Sequence, residues 1–138
     1  MREIDTIVVH CSATKPSMDI GADKIREWHR GNGWSDIGYH FVIRRNGNIE
    51  NGRMVEIPGA HAKGYNQKSI GICMVGGINE KGDADANFTL HQYLALTELL
   101  NDLDKQFPSC QLLGHRDISD KACPSFDVQS FRENGLNR

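Results

Sequence analysis

The sequence predicts an α/β domain in which a mixed central β-sheet is flanked by helices. Three observations carry this prediction: short β-branched and apolar runs of strand length, one strong hairpin signal, and segments with helical spacing of apolar residues between the strands. The chain has 138 residues, a common size for one domain, and it contains no repeat or low-complexity linker. We therefore treat residues 1–138 as a single domain.

The strands are predicted from four segments. "TIVVH" (6–10) is a β-branched run, and "QLLG" (111–114) is a short apolar one. "GYHFVIRRNGNIENGR" (38–53) reads as a hairpin, because the pair Asn46-Gly47 is the strongest short hairpin signal. "SIGICMVG" (69–76) is the most apolar segment, which predicts a central strand covered on both faces.

Three helices are predicted between and after these strands. "ADKIREWHRG" (22–31) has helical spacing, and Gly31 is placed to end it. "TLHQYLALTELLNDLDKQF" (89–107) starts with capping-box spacing between Thr89 and Gln92. Its predicted apolar stripe consists of Leu90, Tyr93, Leu94, Leu100, Leu103 and Phe107. "DVQSFREN" (127–134) predicts a last helix capped by Asp127, and "NEKGDADAN" (79–87) predicts a surface loop.

Composition excludes several classes of function. The 16 basic and 18 acidic side chains give a net charge of -2, without the basic excess that nucleic-acid binding requires. The longest apolar stretch, "SIGICMVGGI", is too short and too rich in glycine to span a bilayer. No basic start followed by an apolar run opens the chain, so we expect no signal peptide and synthesis in the cytoplasm. Four cysteines without a close pair predict free thiols.

A candidate metal site is formed by His10, His115 and Cys123. Each histidine lies at the end of an apolar strand, and Cys123 follows His115 within the loop "HRDISDKACPS" (115–125). Zinc accepts imidazole nitrogen and thiolate, and catalytic zinc sites use three protein ligands with the fourth position left to water. None of the short zinc motifs is present, so hydrogen-bonded structural histidines remain the alternative at this point.

Five blocks in register carry a resemblance to a known family: "VVHCSAT", "GYHFVI", "HAKGYN", "SIGICMVGG" and "ACPSFD". Their order and spacing resemble the N-acetylmuramoyl-L-alanine amidases of the bacteriophage lysozyme type, within the superfamily that includes the peptidoglycan recognition proteins. The resemblance runs from about Ile7 to about Phe131. It implies one catalytic zinc ion per chain, held by the positions that match the family's ligands, His10, His115 and Cys123.

The resemblance also implies roles beside the metal for Tyr39 and Lys121, with His61 as a residue that binds substrate or supports the oxyanion. Lys121 stands two residues before Cys123, so its charge suits an oxyanion that develops at the metal. If Tyr39 and His40 share a strand, only one can face the cleft, and the resemblance selects Tyr39. Without the resemblance, Tyr39 would read as a half-buried aromatic and Lys121 as a solvated lysine.

The function implied is zinc-dependent hydrolysis of the amide bond between N-acetylmuramic acid and L-alanine of the peptidoglycan stem peptide. No HExxH glutamate is present to act as a base. We expect a monomeric phage or prophage lysis enzyme (an endolysin) that reaches the cell wall after release. The alternatives are a non-catalytic peptidoglycan-binding module and a regulatory protein that binds a phage RNA polymerase. Among the other histidines and cysteines, His29 and His91 are expected to be structural or exposed, Cys11 to point into the core and Cys73 to be inert packing.

Overall fold

A computed structural model describes residues 2–134. The elements in chain order are β1 (Thr6–Cys11), α1 (Ala22–Gly31), β2 (Phe41–Ile43), β3 (Ile49–Asn51), β4 (Ser69–Met74), α2 (Leu90–Gln106), β5 (Gln111–Gly114) and α3 (Val128–Asn134). Two 3₁₀ turns, Asn66–Lys68 and His115–Asp117, precede β4 and follow β5. Every predicted strand and helix is therefore confirmed, with the ends shifted by a few residues at most.

The five strands form one mixed sheet in the order β3-β2-β4-β1-β5. β2, β4, β1 and β5 run parallel to one another, and β3 returns antiparallel to β2 through the predicted hairpin. The most apolar strand, β4, lies at the centre, as its composition predicted. In the register, Val9 of β1 pairs with Ile72 of β4 and with Gly114 of β5, which brings the ends of β1 and β5 level.

The two faces of the sheet are covered differently. The larger core cluster joins one face to the inner side of α2 and to Val128 at the start of α3. A smaller cluster on the opposite face, here called the cleft face, joins Val42 and Cys73 to Ala22 and Ile25 of α1. Because side chains alternate along a strand, Val8 and His10 of β1 lie on this same face as Cys73, which pairs with His10. One short helix covers only part of the cleft face, so functional side chains can reach solvent beside it.

The hairpin turn depends on Asn46 and Gly47, and the Gly47 N–H donates to the carbonyl oxygen of Arg44 at 2.8 Å. Gly47 has a φ of +90°, a conformation that side chains with a Cβ adopt rarely, and a Cβ there would lie 2.8 Å from the carbonyl oxygen of His91. The Asn46 side chain accepts a hydrogen bond from the backbone N–H of Asn48 at 2.9 Å. The predicted Asn-Gly turn is thereby confirmed, and its glycine also makes room for α2.

The predicted apolar stripe of α2 is wrong at Leu90 and Leu94. Leu90 and Leu94 are 63% and 51% exposed, whereas Leu100 and Leu103 are buried as predicted. The buried residues of the helix are Gln92, Ala95, Leu96, Leu99, Leu100 and Leu103. The Gln92 amide is drawn into the sheet because it donates to the carbonyl oxygens of Ile43 at 3.1 Å and Val75 at 2.8 Å. The pattern of apolar residues could not predict this rotation of the helix, because a polar residue, Gln92, determines it.

The remaining local predictions are confirmed. The Thr89 and Gln92 side chains complete a reciprocal capping box at the start of α2. The Asp127 carboxylate accepts hydrogen bonds from the N–H groups of Gln129 and Ser130 at the start of α3. The four cysteines are free. Among residues 2–134, no helix combines the length and the apolar character needed to cross a membrane.

Candidate active site

A cleft of about 290 Å³ opens on the cleft face beside α1. It is lined by His10, Cys11, Ala13, His29, Asn32, Trp34, Tyr39, Ala60, His61, His115, Lys121 and Cys123. All six residues that the sequence analysis assigned to a site are in this group. They come from β1, from the segments before β2 and β4, and from the loop that follows β5.

The three predicted metal ligands meet at the base of the cleft. Because Val9 pairs with Gly114, the next residues of the two strands, His10 and His115, come level, and their ring centroids lie 4.6 Å apart. The loop after β5 returns Cys123 to the same place, where its Sγ accepts a hydrogen bond from the backbone N–H of Cys11 at 3.0 Å. One ligand atom from each of the three residues lies within 4.8 Å of the other two.

This donor set fits a divalent metal ion such as zinc. Ligands at about 2.0–2.3 Å around a tetrahedral ion lie roughly 3.3–3.8 Å apart, so the observed group needs only small side-chain adjustments. Burial lowers the pKa of His10 well below its usual range, and the nearby His61, His115 and Lys121 lower it further. The imidazole of His10 is therefore neutral near pH 7, which is the state that binds metals.

The Cys123 thiol needs a cation to ionise. Its hydrogen bond with the Cys11 side chain and its burial raise the pKa of the Cys123 thiol above the usual range. A positive ion beside Sγ would reverse this, since a thiol that coordinates a metal loses its proton. Cys11 packs in the larger core cluster, as predicted, and its side chain also reaches Cys123 at the edge of the cleft.

Tyr39 lies beside the metal-ligand group as a hydrogen-bond donor. Its ring centroid is 5.0 Å from that of His10. Burial raises the pKa of the Tyr39 phenol well above its usual range, and the neighbouring thiols of Cys73, Cys123 and Cys11 add to the effect. The phenol therefore keeps its proton near pH 7.

The selection of Tyr39 over His40 agrees with the lining of the cleft, but the strand alternation used to frame that choice does not apply. Both residues precede β2 rather than lying within it. His40 links two backbone segments by hydrogen bonds. Its Nδ1 accepts from the N–H of Gly71 at 3.0 Å, and its Nε2 donates to the carbonyl oxygen of Ile57 at 2.8 Å.

Lys121 supplies an exposed positive charge at the mouth of the cleft. Its backbone N–H donates to Ser119 Oγ at 3.2 Å, which orders the loop at this point. Its charge is close enough to lower the pKa values of both His10 and His115, in each case after the effect of burial. Among residues 2–134, no carboxylate forms a salt bridge with it.

His61 lines the cleft and lies against His10. Its Nδ1 is 2.8 Å from His10 Nε2, and its Nε2 is 3.1 Å from Ser69 Oγ. Burial lowers the pKa of His61 to about 3, with the nearby His40, His115, Arg2 and Arg53 adding to the effect. His61 is therefore neutral near pH 7, with both ring nitrogens engaged inside the protein.

Trp34 is a cleft residue that the sequence did not predict. Trp34 is 42% exposed, and its ring lies 4.6 Å from that of His29. His29 is structural, as predicted, because its Nδ1 accepts a hydrogen bond from the N–H of Gly38 at 2.9 Å, but it also lines the cleft. The pair Gly33-Trp34, an aromatic just beyond the end of α1, is the signal that could have indicated a residue at the rim. His91 is exposed, and Cys73 is fully buried, as expected.

Comparison with known proteins agrees with this geometry. A family model described as N-acetylmuramoyl-L-alanine amidase matches residues 1–126. The chain is 51% identical to the endolysin of Klebsiella phage KP32 over 132 residues (96% of this chain, 87% of the relative). It is also 51% identical to the endolysin of Escherichia phage T7 over 129 residues (94% of this chain, 85% of the relative). Among solved structures, the N-acetylmuramoyl-L-alanine amidase LysC from Clostridium intestinale URNW superposes with a TM-score of 0.84 at 32% identity, covering 99% of this chain and 87% of LysC.

Proposed function

The chain belongs to the N-acetylmuramoyl-L-alanine amidase family and is a peptidoglycan amidase, and we propose that its cofactor is a single zinc ion held by His10, His115 and Cys123. The observation that carries this proposal is the convergence of two neutral imidazoles and one thiol within 4.8 Å at the base of the cleft. We also propose that the whole chain, residues 1–138, acts as one zinc-dependent amidase domain. The relatives named above are endolysins, so the enzyme belongs with phage enzymes of lysis that act on the cell wall.

The proposed ligand set leaves room for substrate. His10 is buried at the base of the cleft, whereas His115 and Cys123 are only partly buried, so the solvent side stays open. A bound zinc ion would polarise the scissile carbonyl and lower the pKa of a water molecule toward neutrality. A histidine–histidine–thiolate set also suits copper, which makes the identity of the metal a direct test of the proposal.

Tyr39 and Lys121 are proposed as the catalytic residues that handle charge and protons. Water adds to the carbonyl carbon of the lactyl group, the C–N bond to L-alanine breaks, and the leaving nitrogen takes up a proton. The Tyr39 phenol, protonated near pH 7, can donate a hydrogen bond to the oxyanion or hold the water that delivers this proton. The Lys121 ammonium, which has no salt-bridge partner among residues 2–134, stabilises the oxyanion as a point charge.

Two measurements on the purified protein test this proposal together. Metal analysis should give one zinc per chain, and mass spectrometry of digested peptidoglycan should show free stem peptides that start with L-alanine, beside intact glycan strands. New reducing sugar ends would indicate a glycosidase instead. Binding to peptidoglycan without release of peptides would support the non-catalytic alternative, and stoichiometric copper would contradict the choice of zinc.

The contact with a phage RNA polymerase that the resemblance implies stays a prediction. Pull-down of purified phage polymerase by this protein, with Lys121→Ala as a catalytically impaired form, would test it. Monomeric behaviour also stays a prediction, and size-exclusion chromatography with light scattering would measure it.

A further inference from the structure

We propose that His61 is a positioning residue that fixes the orientation and tautomer of His10, so that one defined nitrogen of His10 faces the metal. This inference rests on the zinc site proposed above. It starts from the 2.8 Å contact between His61 Nδ1 and His10 Nε2. The resemblance implied that His61 binds substrate or supports the oxyanion. Its two ring nitrogens instead contact His10 and Ser69, which suits a residue that orients a metal ligand.

Only one placement of the ring protons of His10 and His61 is compatible with metal binding by His10. In a neutral imidazole one nitrogen carries a proton and the other carries a lone pair. If His10 Nε2 accepted from His61, its Nδ1 would carry the proton, and His10 would have no free lone pair for a metal. If His10 Nε2 donates to His61 Nδ1, the lone pair of His10 Nδ1 is free. Only this second arrangement makes His10 a ligand.

The far side of His61 supports the same arrangement. When His61 Nδ1 accepts from His10, its Nε2 carries the proton and donates to Ser69 Oγ at 3.1 Å. Ser69 is fully buried on β4, so this partner is part of the sheet and not a mobile surface group. The result is a chain of two hydrogen bonds, in which Ser69 orients His61 and His61 orients His10.

Backbone contacts hold His61 in the position that this chain of hydrogen bonds requires. The Asn66 side-chain oxygen accepts from the N–H groups of both His61 and Ala62 at 2.9 Å. The imidazole lies over Gly71 of β4, where a Cβ would come within 2.6 Å of the ring. Gly71 is therefore required for space, and the ring of His61 is confined between the strand and His10. Since both nitrogens are engaged, the ring has none left for a substrate.

Three variants at this position separate the proposed role from general damage. His61→Ala removes the acceptor for His10 Nε2. His61→Asn places an amide oxygen near the position of Nδ1, whereas His61→Gln places its amide near the position of Nε2. We expect His61→Ala to weaken zinc affinity by about 10- to 100-fold, the usual scale for the loss of a residue that orients a metal ligand. His61→Asn should recover a large part of this loss, and His61→Gln should recover little.

Zinc affinity is measured by competition with a chelator of known affinity, starting from the zinc-loaded protein. Gln67→Ala is the matched control, because Gln67 is exposed on the same segment and lines a different surface pocket, which contains no histidine. Circular dichroism checks that each variant is folded. NMR of the zinc-loaded protein adds a second readout: the Nε2–H proton of His10 should be protected from exchange in the wild type and lost in His61→Ala.

The possible outcomes distinguish this inference from the proposed function. A wild-type protein that binds no zinc overturns both. A wild type that binds zinc, with unchanged affinity and an unchanged His10 Nε2–H signal in His61→Ala, overturns the positioning role alone. Equal affinity losses in the alanine, asparagine and glutamine variants would mean that His61 acts by filling space. Recovery in the asparagine variant alone supports the proposal.

Discussion

The phenol ring of Tyr39 lies 5.0 Å from the imidazole ring of His10, tilted by 52°. Tyr39 precedes β2, His10 is the last residue but one of β1, and the two strands are separated in the sheet by β4. The contact therefore spans the cleft face and holds a protonated phenol beside the candidate metal ligands. This placement gives Tyr39 a role that is separable from metal binding.

Tyr39→Phe should keep zinc and lose turnover. The substitution retains the ring against His10 and removes only the hydroxyl, so no ligand is lost. Loss of one donor to a developing oxyanion typically costs about 10²–10³-fold in turnover. Bound zinc by metal analysis and the initial rate of stem-peptide release measure the two effects. Tyr93→Phe, which removes a hydroxyl on α2 on the other side of the sheet, is the matched control and should leave both values unchanged.

The fold was readable from the sequence because its signals are local. The strands of the sheet are apolar runs with clear ends, the hairpin has its Asn-Gly pair, and α2 has its capping box. The level placement of His10 and His115 also follows from simple rules, since both come at the ends of neighbouring parallel strands. The positions of these histidines at strand ends did not identify the metal. The prediction of zinc required the resemblance to the family.

Other features were not readable because they depend on contacts distant in sequence. The rotation of α2 is fixed by Gln92, whose amide bonds to carbonyl oxygens 49 and 17 residues away. The contact between His61 and His10 joins residues 51 apart through an irregular segment that has no periodicity to read. Burial of a polar side chain depends on the partners the fold brings to it, and neither hydrophobic pattern nor spacing reports those partners.

Cys123→Ser should lower zinc affinity sharply while the fold persists. Serine is nearly the same size, but its hydroxyl ionises far less readily than a thiol and is a poor zinc ligand. Cys110→Ser is the control, because Cys110 is also a buried free thiol but contacts the carbonyl oxygen of Ile4 at the start of the sheet. Metal content after dialysis is the measurement. Equal zinc in the two variants would remove Cys123 from the ligand set.

Stability should fall as the pH falls from about 6.5 to about 4, and His40 should contribute to this fall. Burial lowers the pKa of His40 to about 4 in the folded protein, against about 6.5 in an unfolded chain. Within that window the unfolded state binds a proton at His40 and the folded state does not, so acid favours unfolding. Between pH 7 and pH 5 the contribution of this one group is about 1–2 kcal/mol.

The test compares urea unfolding of the wild type and His40→Asn at pH 7 and pH 5, with the same excess of zinc. Asparagine can replace the Nδ1 acceptor for the Gly71 N–H, but it does not titrate. The loss of unfolding free energy between the two pH values should therefore be smaller in His40→Asn. His61, with its pKa lowered to about 3, contributes in the same direction and remains in both proteins. Equal losses in the two proteins would contradict the assignment to His40.

Lys121→Ala should keep zinc, fold and peptidoglycan binding, because Lys121 is exposed and is neither a ligand nor a core residue. Turnover should fall by roughly a hundredfold or more, the scale expected when one oxyanion-stabilising group is lost. Lys121→Met should match alanine, since length without charge does not stabilise an oxyanion. Lys121→Arg should restore part of the rate, because it keeps the charge but replaces a compact ammonium with a planar fork.

The control for this series is Lys105→Ala, another exposed lysine, which lies on α2 on the other side of the sheet and should leave turnover near the wild-type value. Initial rates of stem-peptide release and bound zinc are measured for each variant. Loss of zinc in Lys121→Ala would mean that the lysine supports the structure of the metal site. The geometry argues against this, because its positive charge disfavours a cation there and lowers the pKa values of both candidate histidine ligands. Near-normal turnover with zinc retained would leave the chemistry to Tyr39 and the metal, with Lys121 as a solvated residue of its loop.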